Sequence, residues 1–222
     1  MSELLEKLNS LKEESYREFT LKLVSSKYCI LGVRVPALRK LAKEYSFSDI
    51  VLSSKSTFEE IFIYGVTLSK IKNVDLLINK LNDYLPFVDN WSICDMVVSS
   101  LKLIKQNKQI FFNFCENLLK SGKTYYMRFA IVVFLFYYTE KSEVEKVYSL
   151  FPFENEDYYF LMAVAWLNAT YLIYHEDLVI EKLKQKLFND FVIRKTISKA
   201  NESFRVNEKT KLRLKGLKDE IV

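Results

Sequence analysis

The stretch YYMRFAIVVFLFYY, residues 125–138, is apolar on nearly every side of a helical projection. A helix that is apolar all round is buried, either in a protein core or in a membrane. Its uninterrupted apolar part, Phe129 to Tyr138, has only about ten residues, whereas a helix needs about twenty to cross a bilayer. The stretch therefore predicts the central helix of a helical core.

The rest of the sequence also favours helices. Its 222 residues include only 4 Gly and 3 Pro, and 50% are hydrophobic. Apolar spacing and capping residues predict about a dozen helices with short connections. Consecutive pairs recur every 35 to 45 residues, which is typical of helical-repeat arrays. We expect one all-α domain over residues 1–222, built as a curved stack of antiparallel helix pairs with a concave face. A compact irregular bundle is the alternative.

Several helix ends can be predicted locally. Ser56 and Glu59 have the spacing of a capping box that opens a helix, and Asn73 can cap the next one. A helix is expected from Trp91 to about Lys105, and Gly122 is expected to end another in the left-handed conformation.

Composition excludes several kinds of site. The four glycines stand isolated, so neither a dinucleotide-binding fingerprint nor a P-loop is present. The one histidine, His175, cannot form a multi-histidine metal centre, and we expect no metal and no cofactor. The three cysteines are far apart and contain no C-x-x-C pair, which indicates a reducing compartment with each thiol buried. The charged N-terminus does not resemble a signal peptide, and we expect a cytoplasmic protein without a membrane segment.

The positive charge is concentrated near the C-terminus. From Glu181 to Val222 there are 12 Lys/Arg against 6 Asp/Glu, whereas the first 180 residues carry 21 against 22. A basic segment of this kind suits a polyanion such as nucleic acid. A solvated helical surface is the alternative.

Two positions in VDNWSICD are candidates for chemistry. Trp91 and Asp95 are four residues apart and therefore project from one face of a helix. An aromatic ring beside a carboxylate can hold a sugar and stabilise positive charge that develops on it. Alternatively, Trp91 is simply buried and Asp95 is stabilised by the helix dipole.

Two further candidates lie in apolar helices. Arg128 interrupts the stretch quoted first and needs either an internal partner or an external phosphate. Trp166 lies in YYFLMAVAWLNATY, where a core tryptophan is the simpler interpretation.

Four segments together resemble the AlkD-type DNA alkylation repair glycosylases, which are built from HEAT-like repeats. These segments are ILGVRVPALRKLAKEY, VDNWSICD, YMRFAIV and DYYFLMAVAW, in the family's order and over essentially the whole chain. The resemblance implies a HEAT-like solenoid with a concave basic face. It also implies that Asp95 is the catalytic carboxylate, that Trp91 and Trp166 contact the sugar, and that Arg128 holds a phosphate.

The implied reaction is hydrolysis of the N-glycosidic bond of cationic N3- and N7-alkylpurines in double-stranded DNA, without base flipping and by a monomer acting at the nucleoid. Additional phosphate contacts are expected from basic residues along the chain: Arg34, Lys102, Lys105, Lys123, Arg194, Lys195 and Lys199. The segment before Gly32 departs from the family because Leu23 stands where an aromatic is expected. A non-catalytic module that binds DNA or protein is therefore the alternative function.

Overall fold

The computed structural model describes residues 2–152 and 155–221. These residues form thirteen α-helices and no strand, which confirms the all-helical prediction. The helices are α1 Glu3–Leu11, α2 Glu14–Leu23, α3 Val35–Glu44, α4 Phe58–Thr67, α5 Val74–Tyr84, α6 Trp91–Val98, α7 Lys108–Leu119, α8 Thr124–Tyr137, α9 Lys141–Tyr148, α10 Tyr158–Tyr171, α11 Glu176–Lys184, α12 Asp190–Glu202 and α13 Glu208–Ile221. No helix within the described ranges is long and apolar enough to cross a membrane.

The first compact unit extends to Asn107. In it α3, α4 and α6 pack side by side, with their C-terminal ends at the same edge. Lys70, just after α4, donates to the backbone oxygens of Lys43 and Tyr45 at the end of α3. Gly65, near the end of α4, lies against Val97 of α6.

The second compact unit begins at Lys108. The helices α7 and α8 form an antiparallel pair, because the Tyr138 hydroxyl after α8 donates to the backbone oxygen of Lys108 at the start of α7. The helices α8, α10 and α12 pack side by side. They run in parallel, because Arg128 near the start of α8 donates to Tyr159 near the start of α10, and Tyr158 contacts Phe191 near the start of α12. Side-by-side packing of alternate helices is consistent with a helical-repeat solenoid.

The apolar stretch at residues 125–138 forms nearly all of α8, and this helix is central as predicted. Residues 127–135 are all buried. Eight of these nine are apolar, and their burial accounts for much of the stability of the second unit. Arg128 is the one charged residue in this buried range, and only 6% of its surface is exposed.

Helix ends follow the sequence in some places and not in others. Asn73 caps α5 by accepting from the backbone N–H of Leu76 at 2.8 Å, and Gly122 has a left-handed φ of 68°, both as predicted. The capping box of α4 is formed by Thr57 and Glu60, one residue later than predicted. The helix that begins at Trp91 ends at Val98 instead of near Lys105 and is followed by a short 3-10 segment, Lys102–Gln106.

Glu59 is free for another role because Glu60 completes the capping box. Its side chain is 1% exposed and accepts from the backbone N–H groups of Leu31, Gly32 and Val33 at 2.8 to 3.3 Å. Gly32 adopts a φ of 90°, and a Cβ there would come within 2.6 Å of Arg17. The carboxylate and this glycine together hold the connection between α2 and α3.

The thiols are not all buried as expected. Cys94 and Cys115 are buried, but Cys29 is exposed. Its neighbours Tyr28 and Ile30 are both buried, and successive side chains of extended backbone point to opposite sides. Cys29 therefore faces outward.

Candidate functional site

The start of α6 is held by a network of hydrogen bonds. Asn90, which is fully buried, caps the helix by accepting from the backbone N–H of Ile93 at 3.0 Å. Its side-chain amide donates to Asp89 at 2.8 Å. Asp89 also accepts from the Ser26 hydroxyl and from the backbone N–H of Lys27 at 2.7 Å. The segment after α2 is thereby fastened to the first turn of α6.

Trp91, the first residue of α6, adds a further link. Its indole Nε1 donates to the backbone oxygen of Leu23, the last residue of α2, at 3.2 Å. The residue is partly exposed, so the interpretation of Trp91 as a fully buried core residue is wrong. The hydrogen bond fixes the rotation of the indole ring. Because it uses only the edge of the ring, the faces of the ring remain available for contacts.

Asp95 lies one turn further along α6 and is also partly exposed. Residues four apart lie on the same face of a helix, so the carboxylate and the indole project from the same side. A carboxylate and an aromatic face on one side of a rigid helix can bind a group that becomes positively charged.

Arg128 lies in the first half of α8 and is almost fully buried. Its Nη1 donates to the backbone oxygen of Tyr159 at 2.7 Å, near the start of α10. The sequence left open whether the partner of this arginine is internal or external. The structure shows an internal partner for this nitrogen, the backbone oxygen of Tyr159.

Trp166 lies on α10 and is partly exposed. Its ring meets that of Phe136 on α8 edge to face, with centroids 5.9 Å apart. It therefore belongs to the surface of the second unit and not to its interior. This position differs from the core tryptophan that is the simpler interpretation of the sequence.

A row of aromatic side chains crosses the starts of the same helices. Tyr125 of α8 contacts Tyr159 of α10, and Tyr158 contacts Phe191 of α12, with centroid separations of 5.8 and 6.0 Å. The ammonium group of Lys195 lies 5.7 Å from the Phe191 ring. The local sequence gives no signal for the contact between Tyr158 and Phe191, because the two residues are 33 positions apart in the chain.

The predicted phosphate contacts are in varied surroundings. Arg34 is held by Glu13 in a two-pronged ion pair at 2.8 to 3.0 Å, and the hydrogen bond from Arg34 lowers the pKa of the Glu13 carboxyl. Lys123 lies over the ring of Tyr126, 4.7 Å from its centroid. The remaining predicted residues are exposed or partly exposed: Lys102, Lys105, Arg194, Lys195 and Lys199.

One group of cations was not predicted as a site. A cleft of about 660 Å³ at the C-terminal edge of α3, α4 and α6 is lined by Arg39, Lys43, Lys70, Lys72 and Lys102. We call this the basic cleft. Only Lys102 was singled out from the sequence, although the segment LRKLAKEY already indicated a basic helix at α3.

Metal chemistry has no obvious location in the part of the chain that the structure describes. No group of three or more His, Cys, Asp and Glu side chains there is arranged to hold a metal ion.

Comparison with known proteins identifies the class of protein that these features define. The family model described as DNA alkylation repair enzyme matches residues 4–199. The chain belongs to this family, and its role is therefore in DNA repair. A search of curated proteins found no significant match.

Proposed function

We propose that the protein is a DNA glycosylase that hydrolyses the N-glycosidic bond of cationic N3- and N7-alkylpurines in duplex DNA. The observation that carries the proposal is the arrangement on α6. Trp91 and Asp95 project from one face, both are partly exposed, and the indole is fixed by its hydrogen bond to Leu23. Membership of the DNA alkylation repair enzyme family supports damaged DNA as the substrate.

A cationic purine simplifies the reaction. When the bond between C1′ and the ring nitrogen breaks, the electron pair goes to the purine and neutralises its positive charge, so the leaving group needs no proton. The deoxyribose becomes cationic at C1′. Water then adds to C1′ and loses a proton, which gives the free alkylpurine and an abasic site.

Asp95 acts on the charge that develops on the sugar. Its attraction to C1′ is weak in the ground state and grows as the bond breaks, so it lowers the barrier instead of only tightening binding. The same carboxylate orients the attacking water. The face of Trp91 stabilises the cationic sugar by cation–π interaction, and the resemblance assigns a sugar contact to Trp166 as well.

Arg128 is assigned to a backbone phosphate, as the resemblance implies. Because the residue is only 6% exposed, the phosphate would meet an edge of the guanidinium and not its full fork. The hydrogen bond to Tyr159 fixes the direction of that edge. Arg128 would therefore act as a fixed charge that contacts the DNA backbone.

Recognition in this proposal depends on the charge of the lesion and on duplex shape, and the monomer binds without flipping the base. Most of the affinity would come from phosphate contacts, which makes binding sensitive to salt.

The test is release of 7-methylguanine from a methylated duplex under single-turnover conditions. We expect release by the wild type and a loss of about 10²-fold or more in Asp95→Asn, the range seen when one electrostatic group of a catalytic site is removed. Asp75→Asn is the matched control, because Asp75 is an exposed aspartate on α5, and it should retain full activity. Equal release by wild type and Asp95→Asn would contradict the mechanism.

The alternative is a binding module without catalysis, and α2 favours it. None of residues 14–23, all of which the structure describes, is buried, and Phe19, Leu21 and Leu23 are each about half exposed. Binding of methylated duplex without release of base at any protein concentration would establish this alternative.

A further inference from the structure

The basic cleft has a charge that the protein itself does not neutralise. Its described lining contains five cations and no acidic residue. No carboxylate in the described part of the chain forms a salt bridge with Arg39, Lys43, Lys72 or Lys102. The fifth cation, Lys70, donates to the carbonyls of Lys43 and Tyr45.

Helix dipoles account for only part of this charge. The C-terminal ends of α3, α4 and α6 meet at the cleft, and each carries roughly half a negative charge. Three helix ends therefore offset about one and a half of the five positive charges. Lys70 donates directly to the backbone at one such end, and about three and a half positive charges in the cleft remain without compensation.

The serine hydroxyl groups in the cleft already donate hydrogen bonds within the protein. Ser69, Ser99 and Ser100 each donate to a backbone oxygen of the preceding turn, at 2.6 to 2.8 Å. An anion in the cleft would be held by the ammonium and guanidinium groups. Contacts of this kind suit phosphates but carry no information about base identity.

The cleft lies on the same face of α6 as the candidate site. Ser99 lines the cleft and follows Asp95 by four residues, as Asp95 follows Trp91. The rise between Asp95 and Ser99 is about 6 Å. A strand whose sugar lies at Asp95 can therefore continue along this face of α6 toward the cleft.

We propose that the basic cleft binds backbone phosphates of the DNA strand that passes Asp95. This inference rests on the proposed function for the position of the DNA, but it concerns affinity and not chemistry. Arg39, Lys43, Lys72 and Lys102 supply the contacts. Lys70 positions the end of α3 on which Lys43 lies.

The test measures binding of an undamaged duplex by fluorescence anisotropy between about 50 and 200 mM salt. The variant replaces Arg39, Lys43, Lys72 and Lys102 by Gln. Each lost phosphate contact should reduce the slope of log K against log salt by about 0.9. We expect a reduction of about two or more and affinity about tenfold or more weaker.

The matched control is Lys55→Gln, an exposed lysine of the same unit outside the cleft, which should leave slope and affinity unchanged. Circular dichroism of the fourfold variant checks that it remains folded, and single replacements of Lys72 and Lys102 provide smaller steps.

The two proposals fail in different ways. An unchanged salt slope in the fourfold variant, or no binding of duplex by the wild type, would overturn the cleft proposal. In that case the cleft charge would suit an acidic protein surface instead. Absence of base release together with a reduced slope would overturn the glycosylase proposal and support the cleft.

Discussion

The carboxylate of Glu59 accepts a hydrogen bond from the backbone N–H of Gly32 at 2.8 Å, across 27 residues of sequence. It also accepts from the backbone N–H groups of Leu31 and Val33. One buried side chain thus satisfies three consecutive backbone donors of the connection between α2 and α3. The position of α2 depends on this contact at one end and on the start of α6 at the other.

Glu59→Ala should be strongly destabilising. The substitution leaves buried N–H groups without a partner and opens a small cavity, at a cost of about 2–4 kcal/mol in the free energy of unfolding. Urea denaturation measures this loss. Glu18→Ala, at an exposed glutamate of α2, should change stability by less than about 0.5 kcal/mol.

Stability should also depend on the protonation of Glu59. Burial raises the pKa of this carboxyl above its ordinary value, although the backbone N–H donors oppose the shift. Between the ordinary and the raised pKa the folded state binds a proton that the unfolded state does not, so stability falls as the pH rises through this window.

The measurement is the difference in free energy of unfolding between wild type and Glu59→Gln as a function of pH. Because Gln does not titrate, the difference should shift in favour of the wild type as the pH falls from neutrality toward 4.5, the ordinary pKa of glutamate. A difference that is independent of pH would contradict the raised pKa.

Gly65→Ala and Gly216→Ala should have opposite signs. A Cβ at Gly65 would come within 2.6 Å of the Tyr84 ring and of a Val97 methyl group, and overpacking of this kind costs about 1–3 kcal/mol. A Cβ at Gly216 meets nothing within 4 Å, so alanine should stabilise α13 by about 0.5–1 kcal/mol. Thermal unfolding of both variants tests the pair.

Trp91→Phe should loosen α2 while keeping an aromatic ring at the site. The variant loses the hydrogen bond to Leu23, which is worth about 1 kcal/mol. We expect faster amide hydrogen exchange in residues 14–27 than in the wild type. Trp166→Phe, in the second unit, should leave exchange in this segment unchanged. An equal effect of both variants would contradict the conclusion that the hydrogen bond from Trp91 to Leu23 holds α2 in place.

Local sequence signals predicted the elements that depend on local chemistry. The apolar stretch that forms α8, the cap at Asn73 and the left-handed Gly122 each follow from a few neighbouring residues. The capping box of α4 was misplaced because TFEE, residues 57–60, offers two glutamates that fit two overlapping boxes. Glu59 does not complete a capping box because its carboxylate accepts from the backbone N–H groups of Leu31, Gly32 and Val33.

The candidate site was predictable only as a set of residue types. The i, i+4 spacing of Trp91 and Asp95 places them on one face, but nothing in the sequence indicates that the indole donates to Leu23. The basic cleft was missed for a related reason. Lys43 and Lys70 are 27 positions apart, and they meet because the ends of α3 and α4 are packed side by side.

The hydrogen bond of Trp91 has a consequence for how damage can be distinguished. An indole has a single polar hydrogen, and here that hydrogen is given to Leu23. In the proposed function the ring can therefore contact a cationic sugar through its faces, but it cannot donate a hydrogen bond to a base. Chemically different adducts would then be accepted by this residue, provided that each carries a positive charge.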